Sequence, residues 1–138
     1  MKSSRRLCRA AGVLIAAVAL AACDDAIGPG LEVDIEQVVL RVGNESTTLR
    51  ETQTGTLTID EGTHDVTISV RDSNDRMVSL GIDYELQITS SNQGVARYSP
   101  LSNLEGTLVT APGTASLQLR IIHNSHMHFS VPVTVTVN

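Results

Sequence analysis

A chain of 138 residues with two Cys, one Phe, two Tyr and no Trp suits one small domain whose core comes from Val, Ile and Leu. Its formal charge is −5, yet four of the ten basic residues and none of the fifteen acidic ones precede residue 23. From Cys23 onward six Arg stand against fifteen carboxylates, a charge of −9. That balance excludes DNA and RNA, which call for clustered Lys and Arg, and attachment to anionic lipid through a polybasic patch.

The chain opens on a basic head, Lys2, Arg5, Arg6 and Arg9, followed by an apolar run from Ala11 to Ala22. This is the layout of a secretory signal peptide, and the run is too short to span a bilayer. Leu20-Ala21-Ala22-Cys23 resembles the lipobox of bacterial lipoproteins. The resemblance implies cleavage before Cys23, acylation of its thiol, and a mature protein held by lipid on a membrane surface of the bacterial cell envelope, on its periplasmic or outer face. With Cys8 in the removed segment and Cys23 lipidated, no disulfide is expected. The organisation expected is a signal peptide over 1–22, a lipidated Cys and flexible tether over 23–31, and one domain over 32–138. Gly28-Pro29-Gly30 lacks the spacing of a phosphate-binding loop and reads as part of the tether.

From Val33 the pattern changes to period two. Val38, Leu40 and Val42 share one face, and Gln37, Val39 and Arg41 the other, as in a half-buried strand. Gly43-Asn44-Glu45 is a turn, with its glycosylation-like Asn44-Glu45-Ser46 read as turn chemistry. Short strands are expected at Ser46 to Arg50 and Thr56 to Ile59. A clearer one has Val66, Ile68 and Val70 inward. Asp72-Ser73-Asn74-Asp75 suggests calcium, but Arg76 and Met77 stand where a calcium loop needs an oxygen ligand and Gly. Asx side chains bonding their own backbone explain the cluster more simply.

Met77 to Leu80 reads as a short apolar strand, Tyr84, Leu86 and Ile88 as the inner face of another, then Val95 to Tyr98 and Leu104 to Thr110. Many short strands with a turn about every ten residues predict an all-β sandwich or barrel. Ile88-Thr89-Ser90-Ser91-Asn92-Gln93-Gly94-Val95-Ala96, then Gly106 to Leu117 with its Pro112-Gly113-Thr114-Ala115, resembles the second half of a bacterial immunoglobulin-like domain of the Big2 kind. Ile88 stands where that family usually has Trp. The resemblance implies an Ig-like antiparallel β-sandwich and, since such domains serve in adhesins and envelope proteins as spacers or binders, a binding or structural module that contacts protein or glycan.

Two core phases meet near the C-terminal end: Ala115, Leu117, Leu119 and Ile121, then Met127, Phe129, Val131, Val133, Val135 and Val137. A two-residue loop at Asn124-Ser125 sets Ile121 against His128 and breaks the phase. A three-residue loop of His123, Asn124 and Ser125 restores it, pairing Ile121 with Met127 and Leu119 with Phe129. His126 then faces Ile122 and His128 faces Arg120, both on the outer face. Three imidazoles, His123, His126 and His128, would gather near one hairpin tip, a set that zinc or copper accepts. Arg120 opposite His128 disfavours a cation. No cofactor is otherwise expected. The chain has no G-x-S-x-G elbow, no H-E-x-x-H helix and no free thiol, and its carboxylates scatter over turns, so an enzyme is not expected.

Overall fold

Alternation of apolar and polar residues decides which face of each segment turns inward, and it recurs along nearly every strand. A computed structural model describes residues 33–138. Cys23, the apolar run before it and the tether lie outside the described residues. Every regular element among the described residues is a strand: β1 (Gln37–Val42), β2 (Glu45–Leu49), β3 (Gly55–Ile59), β4 (Gly62–Arg71), β5 (Met77–Val78), β6 (Tyr84–Ser90), β7 (Ala96–Pro100), β8 (Glu105–Thr110), β9 (Gly113–His123) and β10 (His126–Val137).

The strands form two sheets. One runs β2-β1-β4-β8-β7 with β5 paired to β4, and the other runs β3-β10-β9-β6. In the lettering of immunoglobulin domains, β1, β4, β8 and β7 follow the A-B-E-D order and β6, β9 and β10 the C-F-G order. The molecule is therefore an all-β, immunoglobulin-like sandwich. Inner faces of both sheets share one core, in which Val38, Leu40, Val66 and Leu108 from the first sheet join Leu117, Leu119, Ile121, Phe129 and Val131 from the second. Fully burying each such Val or Leu stabilises by roughly 1.5–3 kcal/mol, and Phe129 is the largest wholly buried side chain.

One pairing is not antiparallel. β3 runs parallel to β10, with Val133 beside Gly55 and Val137 beside Ile59. The reason lies in the route of the chain, which leaves β2 at the same end as the β9–β10 hairpin and crosses there to the other sheet. β3 and β10 then descend together. The crossing is tight because Gly55 carries no side chain: a Cβ there would fall within the Leu49 side chain, and Leu49 is wholly buried.

The hairpin departs from the expected register. Its loop is the two-residue Asn124-Ser125, with His126 opposite His123 and Met127 opposite Ile122. Both loop residues have positive φ, 49° and 68°, the type I′ geometry that matches strand twist. The phase conflict is resolved one step further on by a β-bulge between Met127 and Phe129, which leaves His128 as the extra residue. Ile121 pairs with Phe129 and Leu119 with Val131, so both core phases survive. Met127 is exposed rather than a core residue. The expected Met77 to Leu80 strand shortens to β5, and Met77 is likewise exposed.

Ser125 holds its left-handed conformation against a steric cost that Gly lacks. Ser125→Gly is expected to stabilise the protein by about 0.5–1 kcal/mol, and Ser125→Val to destabilise it by a similar or larger amount. Urea denaturation midpoints of the two variants check this. No gain from glycine would overturn the left-handed assignment of Ser125.

Candidate functional site

At the hairpin end three rings meet. Tyr84, the first residue of β6, lies opposite His123, and the two rings stack with centroids 4.3 Å apart and planes 8° from parallel. His128 tilts against both, its centroid 5.3 Å from His123 and 5.9 Å from Tyr84. The Tyr84 hydroxyl accepts the Val33 N–H at 2.9 Å, which fastens the first described residue to this end. His123 is buried because it continues the inward phase of Leu119 and Ile121. That signal was present two residues beyond Ile121, and assigning His123 to the loop hid it.

The bulge changes what the histidines can do. His123 and His128 are brought together, but His126 is exposed on the turn side of the bulge, and His126 and His128 do not share the outer face expected of them. With the Asn124 amide donating to His123 Nε2 at 3.0 Å, that nitrogen is an acceptor already in use. His128 Nε2 is buried without a hydrogen-bond partner among the described residues. Among those residues no three His, Cys, Asp or Glu side chains are placed to hold one metal ion. The zinc or copper reading thus loses His126 as a ligand. His64 lies at the far end on β4, where its Nε2 meets the Asp60 carbonyl at 3.0 Å.

A second concavity opens on the outer face of the first sheet, a polar cleft of about 550 Å³ whose lining includes Gln37, Thr48, Arg50, Arg71 and Asp72. Arg50 bonds the Gln37 side chain at 3.0 Å and reaches Glu36 at 3.5 Å, while Arg71 meets the Asp75 carbonyl at 3.1 Å and its carboxylate at 3.2 Å. Ion pairs this exposed contribute little to stability. What they do is hold two guanidinium groups at the rim of a hydrogen-bonding surface suited to polar ligands.

The Asp72–Arg76 turn beside it is built as the Asx reading expects. Asp72 Oδ1 accepts the N–H groups of Asn74 and Arg76 at 2.8 and 3.0 Å, and Oδ2 accepts Arg76 Nε and Nη2 at 3.0 and 2.8 Å. Both oxygens face donors, so this carboxylate is not free for calcium. The Arg76 backbone N–H above all, with its guanidinium and the Asn74 N–H, holds the Asp72 carboxyl below its ordinary 3.8. On β7, at the edge of the same sheet, burial raises the Tyr98 hydroxyl above 10.0, so it stays protonated at neutral pH.

No protein-family model matches the chain, and no curated protein matches it. Among solved structures, domains 4 and 5 of the S-layer protein SbsC are similar over 73% of this chain and 53% of that one, at 16% identity and a TM-score of 0.41. The chain thus spans about half the length of that structure. The sandwich assignment rests on the strand order and register above, not on this likeness.

Two outcomes follow from the geometry. Because the folded pKa of Asp72 is depressed, the turn's contribution is fully present above the ordinary carboxylate range and is lost only as pH falls through the lower folded value. The Asn74 and Arg76 amide protons should therefore titrate by NMR with a midpoint below 3.8. In calorimetry, His126→Ala should leave any zinc or copper response of the chain unchanged.

Proposed function

We propose that the chain is a lipid-anchored protein of the bacterial cell envelope whose immunoglobulin-like sandwich acts as a binding or structural module contacting protein or glycan. The observation that carries the reading is Leu20-Ala21-Ala22-Cys23 behind a basic head and a short apolar run, ahead of an all-β domain. Attachment to the membrane falls to lipid on Cys23, since a charge of −9 from that residue onward opposes electrostatic binding to anionic headgroups. A Big2-like membership fits the A-B-E-D and C-F-G strand order and the Pro112-Gly113 turn that opens β9.

The module is read as non-catalytic. The groups touching the paired imidazoles are Tyr84, whose hydroxyl is engaged by backbone, and the Asn124 amide. The cleft beside Arg50 and Arg71 offers donors and acceptors to a glycan or a polar protein segment, while its carboxylates Glu36, Asp72 and Asp75 oppose an acidic one. Its open shape suits a weak, repeated contact better than the enclosure of a reacting molecule.

Expression of the chain in a lipoprotein-processing bacterium with labelled palmitate tests the anchor. The chain should take up label and sediment with membranes, its N-terminal peptide should begin at an acylated Cys23, and Cys23→Ser should abolish the label. A mature N-terminus other than residue 23, or an unmodified thiol there, would overturn the reading.

A further inference from the structure

Of the five large apolar side chains left exposed among the described residues, four gather at one end of the sandwich. Ile82 is 88% exposed, Leu101 71%, and Met77 and Met127 62% each, whereas the fifth, Val109, is 37% exposed and lies within β8 opposite Arg97 and Thr63. The register places the four at the same end. Met77 pairs with Arg71 where β4 ends and β1 begins, Ile82 precedes β6, Leu101 follows β7, and Met127 stands one residue beyond the turn-closing His126.

These loops are held rather than loose. Asn103 Nδ2 donates to the Ile82 carbonyl at 2.7 Å, the Asn103 carbonyl accepts the Leu86 N–H at 2.6 Å, and the Leu101 and Ser102 N–H groups both reach the Glu105 carbonyl. Single apolar side chains scattered over a surface need no explanation. Four collected at one end do, because such collections mark contact with another apolar phase.

The same end is where the polypeptide joins the sandwich. Val33 is fastened there through the Tyr84 hydroxyl, and the Glu36 N–H donates to the Arg71 carbonyl at 3.1 Å. The ten peptide steps from Cys23 to Val33 reach at most about 35 Å. β4, at ten residues and about 3.3 Å each, is itself about 33 Å long. Contact through the far end would need that segment stretched almost to its limit, so lipid on Cys23 favours this end next to the headgroups.

We propose that this end of the domain docks on the phospholipid surface, with Met77, Ile82, Leu101 and Met127 reaching into the boundary between headgroups and acyl chains. The proposal rests on the lipid-anchor reading above. Charges bordering the patch are of both signs, Arg76 paired with Asp72 beside Asp75 and Asp83, and the chain as a whole is acidic. The surface that fits is a zwitterionic one, with phosphatidylcholine or phosphatidylethanolamine headgroups. Docking would fix the orientation of the domain, leaving the far end with His64 and the Pro112-Gly113 turn pointing away from the bilayer.

Met77 and Met127 are the only methionines after Met1, so oxidation reads the patch from within. The lipidated chain is reconstituted in phosphatidylcholine vesicles and treated with chloramine-T, a bulky anionic oxidant, and sulfoxide at each Met is followed by mass spectrometry. Both should oxidise at least about fivefold more slowly than in Ile82→Asp/Leu101→Asp on the same vesicles. Equal rates would overturn the proposal, as would protection seen in native membranes but not in pure lipid, which would assign the patch to a protein partner. Both substitutions are at exposed positions, and an unchanged circular dichroism spectrum confirms that the variant is folded. If the mass of the N-terminal peptide shows no lipid on Cys23, the anchor reading fails by itself. Coupling Cys23 of a Cys8→Ser chain to a maleimide headgroup then supports docking by the same protection or overturns it by equal rates.

Discussion

A strand offers its core face only at alternate residues, and the longest hairpin in this protein has to honour that rule on both arms across a turn that would break it. Type I′ geometry at Asn124 and Ser125 fixes the loop at two residues, which alone would set Ile121 against His128. The bulge supplies the missing residue. Every inward side chain from Phe129 to Val137 then meets its counterpart from Ile121 back to Gly113, and this pair of strands in turn carries β6 on one side and β3 on the other. Half of the core depends on that single inserted residue.

The insertion also explains the ring cluster. An extra residue in one strand re-aims its side chain, and His128, displaced from the alternation, turns toward Tyr84 and His123. The three rings cover the end of the core where the two sheets receive the incoming chain. Tyr84 and His123 stack in the interior, and the Val33 N–H donates to the Tyr84 hydroxyl. A buried imidazole on the inner phase of β9 is thus accommodated by stacking and by the Asn124 amide.

Much of this was legible in the residues. A segment was expected for each of the ten strands, with period two explicit in β1, β4, β6, β9 and β10, and the inward faces of β1, β6, β9 and most of β10 follow from Val, Leu and Ile at alternate positions. Two things were not. Bulge and three-residue loop both repair the same phase error, and hydrophobic pattern alone cannot separate them; the left-handed tolerance of Asn124 was a hint toward the shorter turn, but Ser125 was not. The parallel β3–β10 pair depends on where the chain crosses between sheets, a long-range matter that no local window records. The histidine site was misplaced as a direct result of the register, since one residue of slip exchanges faces for every side chain beyond it.

The two ends of the described chain sit at opposite ends of the sandwich. Val33 is fixed beside the hairpin, while β10 runs the full length of its sheet and the Asn138 N–H donates to the Ile59 carbonyl at the far end. β10 is flanked on both sides, antiparallel by β9 and parallel by β3. Tension applied between Val33 and Asn138 would run along the strands, at right angles to their hydrogen bonds. Rows of bonds on both sides of β10 would then share the load in shear instead of opening one after another like a zip. A domain so strung resists being pulled apart along the axis that joins its two described ends.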